Sequence, residues 1–358
     1  MKVGIIGAGL SGLYCAIELE RLGVKPVIYE RNSYIGEPFS HVTAILNITH
    51  RPIKDLLVYI KKEMNVDVRA HNVLNSLVHN GPNITSTYKG SFGYLFKYSK
   101  DPDSLKNQLY SMLRKTEVRF NEAVDCMELS RKYDYVVIAD GTYQTPNELG
   151  CWQQWLKAYV RGAVVLGDFD PTALIMWINK DYAKNGYVYL TPFDSKKASL
   201  VLIATDVNQK EIDRYWELFL YTENIKYTMV EEFKLEHRSG YVYPHIVDNM
   251  ILIGNAGGGV EPFLGFGHLN AVTMAFAAAR YIVKGKNYEK QIKGIMDRNL
   301  YMREFRKAYN MMTNKSYDML VTALKLPGTK RLVYDSNINV SKYGAFVLKN
   351  LTKNKMKL

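Results

Sequence analysis

Residues 1–36 read MKVGIIGAGLSGLYCAIELERLGVKPVIYERNSYIG and predict a strand, a glycine-rich turn, a helix and a second strand, in that order. The run VGIIG is apolar and contains β-branched residues, which is typical of a buried parallel strand. The stretch LYCAIELERLG has apolar residues at helical spacing and ends at Gly23, where a helix commonly stops. PVIYE is again strand-like. The chain therefore begins as an α/β protein with a β-α-β unit.

The turn GAGLSG places Gly7, Gly9 and Gly12 between the first strand and the helix. Glycines at these positions let the backbone approach a pyrophosphate, and the start of the helix supplies N–H donors and a positive dipole end. Glu30 ends the second strand about 20 residues beyond the turn, where an acid can bind the ribose of an adenosine. Because all four features occur in order, these residues predict a dinucleotide site.

The spacing alone does not distinguish FAD from NAD. Glu30 is followed by Arg31 and by a loop that closes at Gly36. This arrangement resembles the extended fingerprint of FAD-binding proteins, in which the strand that carries the acid runs into a loop closed by glycine. The resemblance implies FAD as the cofactor and places Arg31 among the residues that bind it.

A further strand, YDYVVIADGT at residues 133–142, ends in Asp140 and Gly141. Taken alone, it is equally a strand that ends in a tight Asp-Gly turn. It resembles the Asp-Gly segment of the aromatic hydroxylase and geranylgeranyl reductase group of flavoproteins. In that group the segment closes the FAD site.

The stretch GNAGGGVEPFLGFGHLN at residues 254–270 lies between an apolar run and an alanine-rich helix. It resembles the third FAD segment of the same group, and the matching cofactor-binding residues are Gly254, Pro262, Gly265 and Gly267. The resemblance implies a tight loop beside the ribityl chain and isoalloxazine. The following helix would direct its positive end toward the flavin edge that gains negative charge on reduction.

Asn255 departs from the family, which has aspartate at this position. The family's aspartate accepts a hydrogen bond from a ribityl hydroxyl. An asparagine side-chain oxygen can accept the same bond without the negative charge. We therefore expect FAD binding to be kept, with changed affinity or potential, and the alternative is a site that has lost flavin.

The middle of the chain, residues 160–205, has β-branched and aromatic runs separated by turn-forming sequences such as DFDP and NG. This pattern predicts an antiparallel sheet. It contains neither a second GxGxxG unit with an acid nor a CxxxxC redox pair. Both absences argue against a pyridine-nucleotide disulfide reductase.

The segment GYVYLTP resembles a geranylgeranyl reductase segment, Tyr-x-Trp-x-Phe-Pro, that lines the lipid cavity near the flavin. The resemblance implies a substrate cavity formed by Tyr187, Tyr189 and Pro192. Tyrosine stands where the family has tryptophan, and Thr191 stands where it has phenylalanine. An ordinary amphipathic strand whose tyrosines only pack is the alternative.

Some family members carry a cysteine-glycine-rich loop after the glycine that closes the acid strand. The corresponding stretch here, EPFSHVTAILNITHRP, contains no cysteine, and its polar groups are His41, Asn47 and His50. A buried, hydrogen-bonded histidine is a commoner role for such residues than catalysis. No catalytic residue is assigned.

The predicted fold is a Rossmann-type, FAD-binding parallel sheet domain with an inserted, mostly antiparallel substrate domain and a helical C-terminal region. The FAD-binding domain comprises residues 1–150 and 240–285, and the substrate domain comprises residues 151–239. Residues 286–358 form the helical region, which ends in a basic tail.

The three cysteines are far apart and the seven histidines form no HxH or HxxxH pair, so no metal site is expected. Free cysteines and a strand that begins directly after Met1 favour a cytoplasmic protein. No apolar run is long enough for a membrane span.

The net charge of +12 allows nucleic acid, anionic lipid or an acidic protein as partner, or simply a lysine-rich proteome. No nucleic-acid motif occurs, so no nucleic-acid partner is expected. The tail KNLTKNKMKL could lie on an anionic membrane surface or be solvated. Ferredoxin, another small acidic carrier or a reduced nicotinamide is compatible as electron donor.

The resemblance implies an FAD-dependent oxidoreductase that saturates isolated double bonds of an isoprenoid or lipid substrate. The first alternative is an FAD-dependent monooxygenase of the aromatic hydroxylase type, which would share the three FAD segments. The second is a flavin-binding protein without turnover.

Overall fold

The computed structural model of the protein describes residues 1–336, 339 and 342–346. The strands, in chain order, are β1 (Val3–Ile6), β2 (Val27–Glu30), β3 (His41–Leu46), β4 (Asn72–Asn80), β5 (Thr85–Tyr98), β6 (Glu117–Phe120), β7 (Tyr135–Ile138), β8 (Trp152–Leu166), β9 (Ala173–Trp177), β10 (Tyr187–Pro192), β11 (Lys197–Thr205), β12 (Thr228–Val242), β13 (Ile246–Val247) and β14 (Met250–Leu252).

The α-helices, also in chain order, are α1 (Leu10–Arg21), α2 (Leu56–Met64), α3 (Leu105–Tyr110), α4 (Cys126–Ser130), α5 (Gln144–Glu148), α6 (Lys180–Ala183), α7 (Ile212–Thr222), α8 (His268–Lys284), α9 (Tyr288–Asn310), α10 (Asn314–Lys325) and α11 (Pro327–Lys330). Two 3-10 turns occupy Asn47–His50 and Gly254–Gly257, and a π turn occupies Arg331–Asp335.

The first sheet has the strand order β13-β14-β7-β1-β2-β6. Its strands pair in parallel except for β13, which pairs antiparallel with β14. The central strands read as continuous apolar runs because helices cover the sheet, and Ile5, Val137 and Ile251 are fully buried. The predicted Rossmann-type parallel sheet is confirmed.

The second sheet has the order β12-β8-β11-β10-β9-β4-β5-β3. The antiparallel sheet predicted in the middle of the chain is present: β9, β10 and β11 form an antiparallel meander, and β8 pairs antiparallel with β11. The exception is β4, which pairs in parallel with β9 and brings β3 and β5 into the same sheet. A core built around Leu190, Leu200, Trp216 and Phe219 joins this sheet to α7.

The chain divides into two compact units. Unit 1 comprises Met1–Gly36, Lys100–Leu156 and Arg238–Arg303, and unit 2 comprises Glu37–Ser99, Lys157–His237 and the chain from Glu304 onward. This division differs from the predicted ranges in its treatment of residues 37–99, which belong to unit 2. The physical reason is the pairing of β4 with β9, which a local sequence pattern does not reveal.

The C-terminal region is helical as predicted as far as it is described, with α9, α10 and α11 in sequence. It is shared between the two units, since the division falls after Arg303, within α9. The basic tail KNLTKNKMKL, for which membrane contact and solvation were both open, lies outside the described residues. Within the described residues, no helix combines the length and apolar character needed to traverse a bilayer.

Candidate cofactor site

The three glycines of the first turn have two different roles. Gly7 has a φ of +98°, and a Cβ added there would come within 2.7 Å of the Ala139 carbonyl oxygen. A Cβ on Gly12 would overlap the Gly7 carbonyl oxygen. A Cβ on Gly9 would lie 3.6 Å from the Ala139 oxygen, an ordinary contact. Gly7 and Gly12 are thus required by the fold, whereas Gly9 leaves room for an approaching ligand.

The first turn of α1 is suited to a diphosphate. Gly9 precedes the helix, and within the described part of the chain no side chain caps this end and no acidic residue lies in its first turn. The first N–H groups of a helix have no intrahelical acceptor, and the dipole makes this end positive. An anion with several oxygens can satisfy these donors.

Glu30 lies next to this turn, and both of its carboxylate oxygens accept hydrogen bonds from main-chain amides. Its Oε2 accepts from the Ala8 amide at 2.9 Å, and its Oε1 accepts from the Asn32 amide at 2.9 Å. The side chain is buried, and a carboxylate has about four acceptor positions, so acceptor capacity remains for the hydroxyls of a ribose. Arg31, which follows, is exposed.

Asp140 and Gly141 lie beside the glycine turn because β7 pairs with β1. A Cβ on Gly7 would come within 3.0 Å of the Asp140 Cα. The Asp140 carboxylate accepts from the Thr142 amide at 3.0 Å and from the Thr142 hydroxyl at 2.9 Å. Gly141 has a φ of +74°. The segment is therefore a hydrogen-bonded turn, and it lies beside the glycine turn that is predicted to bind the dinucleotide.

The third segment, residues 254–270, belongs to the C-terminal part of unit 1 and lies beside the first turn of α1. Gly254 has a φ of +61°, and a Cβ there would overlap the Ser11 hydroxyl in the first turn of α1. Gly265 has a φ of +77°, and Gly267 immediately precedes α8. The three sequence segments that resemble FAD-binding motifs are thus neighbours within one unit.

Asn255 connects two of these segments. Its Nδ2 donates to the Gly141 carbonyl oxygen at 2.8 Å and lies 3.4 Å from the Arg238 carbonyl oxygen. Its Oδ1 is buried and accepts no hydrogen bond from any described residue. A buried acceptor without a donor is unfavourable, and a cofactor hydroxyl would satisfy it. This atom therefore fits the acceptor role that the sequence predicted for Asn255.

Three side chains that the sequence did not single out hold the carbonyl groups of consecutive glycines. His245 Nε2 lies 3.1 Å from the Gly257 oxygen, Asn299 donates to Gly258 at 2.8 Å, and Asn270 donates to Gly259 at 2.7 Å. The His245 Nδ1 faces the Glu289 carboxylate at 2.9 Å. These contacts fix the conformation of the glycine-rich loop. They join distant segments, and nothing in the local sequence indicates them.

Glu261 organises the remainder of this loop. Its buried carboxylate accepts from the amides of Phe263 at 2.6 Å, Leu264 at 2.7 Å and Phe266 at 3.1 Å. The turn that contains Pro262 and Gly265 is therefore wrapped around one carboxylate. The sequence analysis missed this role, because an acid before a proline has many other functions.

His268 is the first residue of α8. Its Nε2 lies 2.9 Å from the Tyr14 hydroxyl of α1, and both side chains are buried. Burial lowers the pKa of His268 to about 4, so the imidazole is neutral at neutral pH. His268 therefore adds no charge to the start of α8 at neutral pH, and only the helix dipole makes this end positive.

The predicted substrate residues lie in unit 2. Tyr187 and Tyr189 occupy the same face of β10, with ring centroids 6.2 Å apart, and Pro192 ends the strand. Burial raises the pKa of the Tyr189 phenol, so it is not an anion at neutral pH. Thr191 lies on the same face of the strand as the two tyrosines and donates to the Val42 carbonyl oxygen at 2.7 Å. Contact of these residues with a substrate stays a prediction.

Comparison with known proteins identifies the first segment. Residues 5–89 match the family model of an NAD(P)-binding Rossmann-like domain. Over 96 residues, or 25% of the chain, the sequence is 32% identical to the 15-cis-phytoene desaturase of Synechococcus elongatus. That match spans only 20% of the desaturase's own length.

Solved structures match the whole chain. A geranylgeranyl bacteriochlorophyll reductase-like protein of Thermoplasma acidophilum has a TM-score of 0.76 at 17% identity, with 97% of this chain and 98% of the other covered. A flavin-dependent brominase has a TM-score of 0.67 at 12% identity, covering 99% of both chains. A flavin-dependent halogenase has a TM-score of 0.65 at 15% identity, with 99% of this chain and 76% of the halogenase chain covered.

At these identities the similarity to solved structures establishes the fold. The cofactor follows from the agreement of that fold with the site, in which the glycine turn, Glu30 and the unsatisfied Asn255 oxygen all fit a flavin dinucleotide. The chain has the fold of the flavin-dependent oxidoreductases, with an NAD(P)-binding Rossmann-like segment at residues 5–89, and its cofactor is FAD.

Proposed function

We propose that this chain is an FAD-dependent oxidoreductase that reduces carbon–carbon double bonds of an isoprenoid or lipid substrate. The observation that carries the proposal is the similarity in fold, along 97% of the chain, to a geranylgeranyl bacteriochlorophyll reductase-like protein. The resemblance of the three cofactor segments to that family supports it from the sequence.

The residues of unit 1 would hold the cofactor. The first turn of α1 would bind the diphosphate, Glu30 would bind a ribose, and Asn255 would accept from a hydroxyl through Oδ1. When bound in its reduced form, FAD would supply a hydride to one alkene carbon, and the other carbon would receive a proton. No residue of this chain is assigned as the proton donor.

An isolated alkene offers no carbonyl group to polarise, so the protein must orient it by apolar contacts. Tyr187, Tyr189 and Pro192 are proposed to form part of that apolar surface. Their support is the resemblance of GYVYLTP to the cavity segment of the family and the placement of both tyrosines on one face of β10.

The electron donor is proposed to be ferredoxin, another small acidic carrier or a reduced nicotinamide. The support for an acidic carrier is the net charge of +12, which favours association with an anionic partner. The protein is proposed to be cytoplasmic and to contact a membrane peripherally. The support for membrane contact is the basic tail alone.

An anaerobic experiment tests this function. The purified flavoprotein is photoreduced and mixed with an unsaturated isoprenoid lipid in micelles, and the flavin absorbance is followed against saturated lipid and lipid-free micelles. Reoxidation that requires the unsaturated lipid, with a saturated product detected by mass spectrometry, is the expected result. Equal rates with all three micelles would contradict the proposal.

The second candidate is an FAD-dependent monooxygenase. It is favoured by the similarity of fold to a peptidyl tryptophan dihydroxylase, with a TM-score of 0.59 over 86% of this chain. Reoxidation that needs air and an aromatic or lipid acceptor, with oxygen incorporated into product, would select it. Reduction of bound flavin without consumption of any acceptor would instead point to a flavin-binding protein without turnover.

A further inference from the structure

His245 is nearly excluded from solvent and lies between the glycine-rich loop and α9. Its side chain is 1% exposed. Its Nδ1 lies 3.1 Å and 2.9 Å from the two carboxylate oxygens of Glu289, and its Nε2 lies 3.1 Å from the Gly257 carbonyl oxygen. The His245 main-chain amide also donates to Glu289, at 2.9 Å. Both ring nitrogens therefore face oxygen acceptors.

These two partners determine how many protons the ring needs. A main-chain carbonyl oxygen and an ionised carboxylate can only accept hydrogen bonds, whereas a neutral imidazole has a single N–H. A neutral His245 would therefore direct a lone pair at one of its two partners. Only the imidazolium, with a proton on each nitrogen, donates to Glu289 and to Gly257 at the same time.

The charge next to the ring favours the imidazolium. Burial acts to raise the pKa of Glu289, but the hydrogen bonds from the His245 ring and amide outweigh it and hold this pKa below its ordinary value, so the carboxylate is ionised at neutral pH. An opposite charge at this distance stabilises the protonated form of a histidine. In the described part of the chain, His245 forms an ion pair with no other group. The buried ring therefore receives its counter-charge from Glu289.

The other neighbours of the ring are neutral. Tyr288 packs edge-on against it, with the ring centroids 6.0 Å apart, and burial raises the pKa of its phenol. Burial also raises the pKa of the Cys15 thiol of α1, which lies near Tyr288. The contacts of His245 on the loop and on β14 are main-chain groups, at Gly257 and Leu252. A pH effect on this cluster between about pH 6 and about pH 9 therefore comes from His245.

Gly257 is the first of three consecutive glycines whose carbonyl oxygens contact side chains. The other two accept from Asn299 and Asn270, whose neutral amides donate whatever the pH. Asn255 lies two residues before Gly257 and presents the buried Oδ1 that fits a cofactor hydroxyl. A change in the proton count of His245 is therefore transmitted to a cofactor contact through two residues of main chain.

We infer that His245 is a positioning residue for FAD that acts as an imidazolium, joining the Gly257 carbonyl to Glu289, and that FAD affinity falls when the ring gives up its second proton. The remaining proton stays on the side of the carboxylate, because a hydrogen bond to an ion is stronger than one to a neutral carbonyl. The Nε2 lone pair then faces the Gly257 oxygen, and the loop loses this contact. The inference goes beyond the proposed function, since it concerns cofactor binding under any reaction.

FAD affinity measured against pH tests the inference. Apoprotein of the full chain is titrated with FAD by flavin fluorescence from about pH 6 to about pH 9, the range in which a histidine beside a carboxylate titrates. Because the protonated ring favours the bound state, the Kd of the unaltered protein should rise with pH, by about 10-fold or more. His268 does not titrate in this range, because burial lowers its pKa to about 4.

Two variants separate the ring from its counter-charge. His245→Gln keeps a donor that cannot ionise, so its FAD affinity should be low and independent of pH. Glu289→Gln keeps an acceptor for the His245 Nδ1 and removes the negative charge. The imidazolium then loses its proton more readily, and the fall in FAD affinity should move to lower pH by about one pH unit or more.

Asn299→Ala is the matched control. It removes a donor that does not titrate from the neighbouring carbonyl, that of Gly258. FAD affinity should fall at every pH, and the shape of the pH profile should stay that of the unaltered protein. Thermal unfolding of each apoprotein at both ends of the pH range confirms that the variant is folded.

The inference is overturned if the unaltered protein binds FAD equally well across the range, or if His245→Gln shows the same pH profile as the unaltered protein. It is also overturned if Glu289→Gln only lowers affinity, as Asn299→Ala does, without moving the profile. Failure of the anaerobic reductase assay with the expected pH profiles would reject the proposed reaction and keep this role of His245. A working reductase with flat profiles would do the reverse.

Discussion

The side-chain amide of Asn255 donates a hydrogen bond to the carbonyl oxygen of Gly141, 2.8 Å away. The same nitrogen lies 3.4 Å from the Arg238 carbonyl oxygen. Two acceptors therefore meet at one end of this side chain, and an ionised carboxylate could donate to neither. The family that this chain resembles has aspartate at this position. Here the Asn255 amide donates a hydrogen bond that joins two loops, and its Oδ1 stays available to accept from the cofactor.

Asn255→Asp is expected to reduce the free energy of unfolding of the apoprotein by about 1–3 kcal/mol, because two carbonyl groups lose their donor and face a charge. FAD affinity should fall as well, since the loop that presents the acceptor is displaced. Thermal unfolding and fluorescence titration with FAD measure the two effects.

Asn249→Asp is the matched control. The Asn249 amide also donates to two carbonyl oxygens, those of Ser130 and Tyr133, both at 2.9 Å. This variant should lose comparable stability and keep its FAD affinity. Equal loss of FAD affinity in both variants would mean that Asn255 acts only on stability.

The contrast between Gly9→Ala and Gly12→Ala tests the division of roles in the first turn. Gly12→Ala should destabilise the apoprotein by about 1–3 kcal/mol or more, because its Cβ overlaps the Gly7 oxygen. Gly9→Ala should leave the apoprotein melting temperature nearly unchanged and weaken FAD by about 10-fold or more, or about 1.4 kcal/mol. A destabilised Gly9→Ala apoprotein with normal FAD affinity would contradict this assignment.

Glu30→Gln replaces one carboxylate oxygen by a donor that must face the Ala8 or Asn32 amide. We expect FAD affinity to fall by about 10-fold, with a cost of about 1–2 kcal/mol to stability. Glu20→Gln is a suitable control, because Glu20 likewise accepts from main-chain amides, at Lys115 and Thr116, away from the cofactor turn. It should lose stability and bind FAD normally.

Three histidines with lowered pKa values predict a pH dependence of stability. Burial lowers the pKa values of His79, His237 and His268 to about 4, from an ordinary value of 6.5. Between these values the unfolded chain binds more protons than the folded chain, so stability should fall as pH decreases from about 6.5 to about 4. Melting temperatures of the apoprotein across this range measure the effect.

His237→Gln isolates one of these groups, because carboxylates also titrate near the lower end of the range. Each histidine contributes a slope of up to about 1.4 kcal/mol per pH unit, so the variant should lose less stability on acidification than the unaltered protein. Identical slopes for the two proteins would show that the histidine is charged in the folded state.

The parallel sheet and the order of the cofactor segments could be predicted because each carries a local pattern. Gly7, Gly12 and Glu30 follow from strand–turn–helix spacing, and Gly254 followed from resemblance. Each of these positions has a backbone or charge requirement that few other residues meet.

The supporting contacts could not be predicted in the same way. Glu261 and Asn270 form hydrogen bonds with main-chain groups. Because every residue has such groups, the residue types at 261 and 270 do not indicate which groups they contact. The assignment of residues 37–99 to unit 2 depends on the parallel pairing of β4 with β9, which joins segments far apart in the chain. Such long-range pairing leaves no periodic signature in either segment.

Gly254 lies against Ser11 in the first turn of α1, and this proximity has a consequence during synthesis. Because the diphosphate-binding turn precedes the Gly254 loop in the chain, it is synthesised first, and the loop that completes the pocket follows. A ribosome-bound precursor that ends before Arg238 would expose the apolar edge of β7, to which β14 later pairs. We therefore expect cofactor loading to follow synthesis of the Gly254 loop, and the half-made chain to be prone to aggregation until then.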